Sequence, residues 1–282
     1  MPALPVSVME PLWAEVSALL PVHPAVDPTH PLGRHRCRIP DRVVFEHVVA
    51  ALVHGSGYER IATPGCSDRT IRRRVQQWAA AGLMPHLHAL VVAQYDRLIG
   101  LDLRHVCVDG CITKAPSGGD HAGRSPVDRG KQGRKRSLLT DATGIPLHLV
   151  AAGANCPDSR LLRATLSGLG PLGSLPPGLP VLLDRGYAGA PVLAVLEECG
   201  CTGVLPPQGP PAAGHVGERW VVERTHSWLN AFGRLRRCPE RSAAVVDLYL
   251  FLAASIIVIQ RLLRAAFPTF RWPTRATTRR LR

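Results

Sequence analysis

Three acidic residues that lie far apart in the chain have the types and settings of a divalent-metal site. Asp109 follows the apolar run at 106–108, and Asp184 follows another apolar run and precedes Arg185-Gly186. Ligand groups in open α/β sheets gather at the carboxyl ends of strands, so neighbouring strands would bring both carboxylates into one crevice. Glu223 lies on a predicted helix that could pack over that edge. We therefore predict Asp109, Asp184 and Glu223 as catalytic and metal-binding residues.

The chemistry open to three clustered carboxylates is restricted. Their charges repel one another, and such a cluster persists only where cations compensate it. Hard oxygen ligands select Mg²⁺ or Mn²⁺. Two such ions about 4 Å apart can activate an attacking water or 3′-hydroxyl and stabilise the leaving oxygen of a phosphodiester. Phosphoryl transfer on DNA, with two divalent ions as cofactors, is therefore the predicted chemistry.

Each acid alone also has an ordinary structural explanation. Aspartate shortly before glycine, as at Asp109 and Asp184, is a common turn signal. Glu223 is flanked by arginines and could form a helix-surface ion pair worth under about 1 kcal/mol. Two further acids compete for the site, but Asp141 is more simply a hairpin-turn residue and Asp158 a helix N-cap.

The elements that must position these acids begin at residue 103, where the pattern changes to strands and then alternates strands with helices. Such an order predicts a mixed α/β sheet with helices on both faces. The predicted elements are a strand at 103–110, a hairpin at 135–151 with its turn at 141–144, a helix at 158–169, a strand ending at 184, a helix at 191–199, a strand at 202–205 and helices at 218–235 and 243–263.

The N-terminal part instead has helical periodicity. One helix is predicted from Pro40-Asp41 to Leu52, and a second between Ser67 as its N-cap and Gly82 as its C-cap. Arginines crowd the first turns of the second helix, which is typical of a helix-turn-helix with a basic recognition helix. An ordinary helical hairpin with a solvated basic face is the alternative. The DNA contacts predicted here are Arg69, Arg72 and Arg73.

The charge favours a nucleic-acid partner. The chain carries a formal net charge of +13, and a strongly basic chain usually meets a polyanion, although charge alone does not exclude a basic protein with another partner. Positive charge is concentrated at 124–136 and at 261–282, where there are seven arginines and no acid. We expect phosphate contacts in both segments. In the first segment they are Arg129, Lys131, Lys135 and Arg136.

Several other classes of protein are disfavoured. The eight cysteines show no zinc-binding spacing and are typical of a reduced cytosolic protein. The N-terminus carries Glu10 and Glu15 without a basic leader, so no secretory signal is expected. The most apolar run, 248–259, is too short to span a bilayer and predicts a buried helix. We expect a cytoplasmic protein, associated with the bacterial nucleoid and without membrane contact.

Together these features resemble a known family, the DDE transposases of bacterial insertion sequences, of the insertion-sequence-five type. The blocks LLDRGYAG and RWVVERT are the most specific parts of the resemblance. All blocks keep the family's order and spacing over residues 103–241. They are VDG at 108–110, VDRGKQGRKRSLLTDATGIPL at 127–147, GANCPDS at 153–159, LLDRGYAG at 182–189 and RWVVERTHSWLNAFGRLRR at 219–237.

The resemblance implies a ribonuclease-H-like catalytic domain at 100–265, a helix-turn-helix-like DNA-binding domain at 1–99 and a basic tail at 266–282. It implies that Asp109 and Asp184 lie on strands and Glu223 on a helix. It also implies binding of an element's terminal inverted repeats and of target DNA, by a homodimer or a larger synaptic assembly. The DNA contacts assigned with it are Arg185, Arg219, Asn230 and Arg234.

The chain departs from the family's pattern at several positions. Ala231 and Gly233 stand where relatives often carry arginine, and Cys156-Pro157 replaces a stretch that usually has a histidine before Asp158. The related signature has tyrosine three residues before Arg219 and lysine seven residues after Glu223, where this chain has Val216 and Asn230. One hypothesis is an active transposase, which cleaves at the element's ends and then transfers the freed 3′-hydroxyl strand to target DNA. The alternative is a catalytically decayed DNA-binding relic or regulator of the same fold. A stand-alone nuclease is a third.

Overall fold

The computed structural model describes residues 3–21, 38–206 and 216–266, without the side chains of 216–219. Ser67 caps the fourth helix as predicted, since its hydroxyl accepts a hydrogen bond from the Thr70 backbone N–H. Gly82, the predicted C-cap, lies one residue beyond the observed C-cap Ala81, has a φ of +61° and also serves as the N-cap of the next helix. The five helices before the first strand are α1 (Val6–Leu19), α2 (Asp41–His54), α3 (Tyr58–Ile61), α4 (Asp68–Ala80) and α5 (Leu83–Leu98).

The sheet is mixed, as predicted. Its strands are β1 (Val106–Lys114), β2 (Gly123–Arg124), β3 (Gln132–Asp141), β4 (Pro146–Gly153), β5 (Leu179–Leu182) and β6 (Cys201–Val204). Along the main sheet the order is β4-β3-β1-β5-β6. The short strand β2 pairs with the first two residues of β3. β3 runs antiparallel to β1 and β4, whereas β5 and β6 run parallel to β1. An antiparallel meander followed by two parallel crossover strands is the ribonuclease-H-like arrangement that the resemblance implied.

Helices cover both faces of this sheet. The later helices are α6 (Asp158–Leu166), α7 (Ala190–Glu198), α8 (Val216–Asn230), α9 (Gly233–Arg236) and α10 (Ala243–Ala266). On one face the Thr165 hydroxyl of α6 donates to the Ser137 hydroxyl of β3 at 2.7 Å. On the other, Arg136 donates to Asn230 of α8 at 2.9 Å. Successive strand residues point to opposite faces, so α6 and α8 lie on opposite sides of β3.

β1 is longer than the sequence predicted, and this corrects the setting of Asp109. The strand continues to Lys114, so Asp109 lies within it and Gly110 is not a turn residue. A Cβ atom at Gly110 would come within 1.9 Å of an Asp158 carboxylate oxygen. The glycine therefore makes room for the first residue of α6. Asp141, by contrast, is the predicted turn residue, and its carboxylate accepts hydrogen bonds from the Thr143 and Ile145 N–H groups.

α10 joins the two ends of the chain in one apolar core. It is buried, as predicted, and spans Ala243–Ala266, three residues beyond the predicted end at 263. By length and composition alone it could cross a membrane, yet 78% of its apolar window is buried in the fold. It packs against α1, α4, α5 and β4. The division of the chain at residues 99 and 100 stays a prediction.

Arg234, predicted to contact DNA, is instead buried. Its guanidinium donates to the Glu240 carboxylate and to the Ser56 carbonyl oxygen, the latter at 2.7 Å. It also lies over the rings of Tyr58 and Tyr249, 4.4 and 4.8 Å from their centroids. Tyr58 belongs to α3 and Tyr249 to α10. Arg234 therefore connects these helices and is not available to a phosphate group.

Replacing Arg234 by methionine should lower the free energy of unfolding by about 3–5 kcal/mol, because Glu240 would keep a buried charge without its partner. Urea unfolding followed by circular dichroism measures this change. Arg236→Ala is the matched control: its side chain is exposed, and we expect a change within about 0.5 kcal/mol. Equal effects of the two substitutions would contradict the structural role of Arg234.

Candidate active site

Asp109 is the centre of an acidic cluster. Its side chain is only 28% exposed. Burial raises its pKa to about 6, the negative charges of Asp184, Glu223 and Asp158 add to the rise, and a hydrogen bond with the Gly110 backbone opposes it. The fold thus brings Asp184 and Glu223, together with a fourth acid, Asp158, within electrostatic reach of Asp109.

Strand pairing explains how Asp184 reaches Asp109. β1 and β5 are parallel neighbours, with Cys107 opposite Leu182. Asp109 and Asp184 each follow that pair by two residues, so they lie side by side at the same level of the sheet. The Asp184 carboxylate accepts a hydrogen bond from the Gly186 N–H at 2.8 Å, which fixes its orientation where the chain leaves the strand.

Glu223 comes to the cluster on α8, which His226 attaches to β1. The His226 Nε2 atom lies 3.3 Å from the Asp109 carbonyl oxygen and 3.9 Å from its carboxylate. Burial and the nearby Arg136 charge lower the His226 pKa to about 3, so the imidazole is neutral at pH 7. Glu223 is exposed and lies three residues before His226, on neighbouring parts of one helical surface. Histidines scattered through a sequence are usually structural, so the contact between His226 and Asp109 was not predicted.

Lys135 and Asp158 form an ion pair beside the cluster, which corrects the predictions for both residues. The Lys135 Nζ atom lies 2.6 Å from the Asp158 carboxylate. Lys135 is buried and so is not available as the predicted phosphate contact, and Asp158 makes no side-chain cap to α6. The pair compensates the charge of the fourth acid.

Arg136 and Asn230 also differ from the prediction that they contact DNA. Arg136 is fully buried, and its guanidinium donates to the Asn230 amide oxygen. Asn230 in turn lies 3.9 Å from the Cys111 Sγ atom of β1. These contacts hold α8 against the sheet, so both residues position the helix that carries Glu223.

Tyr187 is a site residue that the sequence analysis missed. It is buried, and within the described part of the chain its hydroxyl makes no hydrogen bond of good geometry. Burial raises its pKa, and the charges of Asp158, Asp109 and Asp184 raise it further. A phenol that keeps its proton thus lies next to the carboxylates. In the sequence, the indication that Tyr187 belongs to the site was its position three residues after Asp184.

The other arginines and lysines predicted to contact DNA differ in whether their side chains are exposed. Arg74, next to the predicted contacts on α4, is buried and pairs with Asp41 at 2.8 Å. The side chain of Arg219 and residues 267–282, which make up nearly all of the predicted basic tail, lie outside the described residues. The predicted contacts with exposed side chains are Arg69, Arg72, Arg73, Arg129, Lys131 and Arg185.

The acidic cluster has the right atoms for a hard divalent cation, because carboxylate oxygens are the ligands that Mg²⁺ and Mn²⁺ prefer. Among the residues described, no three His, Cys, Asp or Glu side chains are already gathered closely enough to hold an ion. Mutual repulsion of the carboxylates acts against such a closer arrangement.

Replacing Asp109 by asparagine should stabilise the metal-free protein at pH 8. The folded-state pKa of about 6 exceeds the ordinary 3.8, so the ionised carboxylate costs stability above pH 6, and this cost disappears below pH 4. We expect a gain of about 3 kcal/mol at pH 8 and none at pH 4. Urea unfolding in EDTA measures it, with Asp128→Asn in an exposed loop as control. A gain independent of pH would contradict the electrostatic explanation.

Comparison with known proteins gives the family. The family model described as a transposase DDE domain matches residues 100–211. A Burkholderia cepacia protein named as the transposase for insertion sequence element IS402 is 36% identical over 51% of this chain and 71% of its own length. An uncharacterised 16.2 kDa protein of the same insertion element is 27% identical over 41% of this chain and 78% of its own length.

Solved structures give only weak matches. The pre-cleavage Mos1 transpososome is 11% identical with a TM-score of 0.30, over 85% of this chain and 82% of that one. The Mos1 strand transfer complex is 12% identical with a TM-score of 0.28, over 88% and 82%. At such scores neither supports an argument about function. The family-model match and the 36% identity are sufficient: the chain belongs to the DDE transposases of bacterial insertion sequences.

Proposed function

We propose that Asp109, Asp184 and Glu223 form the catalytic centre of an active transposase, which cleaves DNA at the ends of its insertion sequence and transfers the 3′-hydroxyl strand to target DNA. One geometric observation carries this proposal: the parallel pairing of β1 with β5 places Asp109 and Asp184 at one level of the sheet, and the helix that carries Glu223 contacts the Asp109 backbone through His226. Carboxylates this close to one another repel unless a cation compensates their charge. A shared metal ion would explain why the fold keeps them together.

The three carboxylates would hold two Mg²⁺ or Mn²⁺ ions. Bound there, such ions supply the activation of the attacking hydroxyl group and the stabilisation of the leaving oxygen. Asp158 is the fourth acid of the cluster, but its pairing with Lys135 leaves Asp109, Asp184 and Glu223 as the ligands.

The other residues of the site act on the position of these ligands. The Gly186 N–H orients the Asp184 carboxylate. Neutral His226 contacts the Asp109 backbone, and so sets the distance between β1 and the helix that carries Glu223. Tyr187 remains protonated among the acids, so that its hydroxyl can donate a hydrogen bond without adding negative charge.

The DNA partners of this reaction are the element's terminal inverted repeats and the target DNA, and the working assembly is a homodimer or a larger synaptic complex. We assign recognition of the ends to the exposed arginines of α4. Arg129, Lys131, Arg185, Arg219 and the tail at 266–282 are assigned to phosphate groups near the cut. The protein would act in the cytoplasm, on nucleoid DNA.

A strand-transfer assay tests the proposal. The full chain is incubated with Mg²⁺ and duplex DNA that carries the terminal repeats of its own element, and cleaved and joined products are separated on gels. Asp109→Asn, Asp184→Asn and Glu223→Gln should each reduce both products by more than about a hundredfold, since even the partners of metal ligands typically contribute 10–100-fold.

The matched control is Glu198→Gln. Glu198 is an exposed acid that pairs with Arg163, so its loss should leave the reaction unchanged. Retained activity in all three site variants would overturn the assignment of the catalytic centre. A wild-type chain that binds the ends but forms no product, with Mg²⁺ or with Mn²⁺, would instead establish a DNA-binding relic.

A further inference from the structure

A basic cleft lies beyond the acidic cluster, along the same strand. Its volume is about 610 Å³, and it is bounded by the end of α2, the end of β1 and the α9 segment. Among its lining residues are His54, Lys114, Gly133, Asn230, Arg236 and Arg237. None of the three cationic residues in this group was predicted as a DNA contact from the sequence.

Three cationic side chains line this cleft. Lys114, Arg236 and Arg237 are exposed, and within the part of the chain that the structure describes no acidic side chain pairs with them. The acid on the rim, Asp128, is itself 4.0 Å from Lys131. Like charges held together without a counterion are unfavourable, and a cleft lined by one sign of charge concentrates ligands of the opposite sign.

The backbone holds these residues in place. Lys114 and Arg237 are joined by a parallel bridge, and the Cys238 N–H donates to the Lys114 carbonyl oxygen at 2.9 Å. At the other wall α2 meets α9 by direct backbone contact, since a Cβ atom at Gly55 would come within 2.8 Å of the Gly233 carbonyl carbon. The charges are therefore presented by a fixed frame and not by a loop.

The cleft lies on the same strand as Asp109, at a distance that can be compared with the spacing of DNA phosphates. Ile112 and Lys114 line it. They lie three and five residues beyond Asp109 on β1 and, because successive strand residues alternate, on the opposite face of that strand. At about 3.3 Å per strand residue, these lie roughly 10 and 17 Å from the acid. One strand of a duplex carries a charge about every 3.4 Å along the axis. A duplex that leaves the acidic cluster along β1 would therefore bring phosphates about three to five nucleotides from the scissile one to the cleft.

We propose that this cleft is a subsite for the DNA backbone, in which Lys114, Arg236 and Arg237 hold the phosphates about three to five nucleotides from the cleavage position. The ligand is the phosphodiester chain and not the bases, because cationic side chains carry the contact. The distance to the cut rests on the proposed function, whereas binding to the backbone does not.

Binding in EDTA tests the subsite without cleavage. Affinity of the full chain for fluorescent duplex DNA with the element's end and flank is measured by anisotropy over a series of KCl concentrations. Lys114→Ala, Arg236→Ala and Arg237→Ala should each reduce the slope of log affinity against log salt by about 0.9, the value for one lost phosphate contact. Arg163→Ala, at an exposed arginine already paired with Glu198, is the matched control and should leave the slope unchanged.

Phosphate-ethylation interference on the same complexes locates the contacts. In the wild type, ethylation about three to five nucleotides from the cut should inhibit binding, and the three substitutions should remove this interference. Unchanged slopes with unchanged interference would overturn the subsite. A chain that shows both effects yet never cleaves DNA would refute the proposed catalysis and leave the subsite intact, so the two failures are distinguishable.

Discussion

The constraint on which the site depends is the repulsion among carboxylates gathered around the partly buried Asp109. Asp109 has the raised pKa of a group that resists ionisation, and its surroundings limit further negative charge. Lys135 compensates Asp158, and Tyr187 keeps its proton. The fold thus holds the acids close enough to act on one another, and the remaining repulsion is what a divalent cation would relieve.

The basic residues of this chain fall into two populations that its net charge does not distinguish. Arg74, Arg136 and Arg234 are buried and form ion pairs, hydrogen bonds or ring contacts inside the protein. Others, such as Arg73 and Arg237, are exposed. Only the second population can neutralise phosphate groups, so the part of the +13 charge that faces DNA is smaller than the sequence suggests.

Much of the fold could be predicted from the sequence, because strand-to-helix alternation and the hairpin turn at Asp141 are local signals. The proximity of Asp109 and Asp184 was predicted from the ends of neighbouring strands, although Asp109 lies within β1, and Glu223 was predicted from a helix packed over that edge. The settings of Gly110, Lys135 and Arg234 could not be predicted, since they depend on Asp158, α6 and α10, far away in the chain. A glycine that makes room for a distant carboxylate has the same local pattern as a turn.

The burial of α10 has a consequence for shortened copies of this protein. Because the helix packs against α1, α4 and α5 as well as β4, the N-terminal helices depend on residues near the other end of the chain for part of their apolar core. A gene fragment that encodes only the first third of the sequence would expose that surface to water and favour aggregation. Truncation is therefore a poor route from this enzyme to a free-standing repressor of its own element.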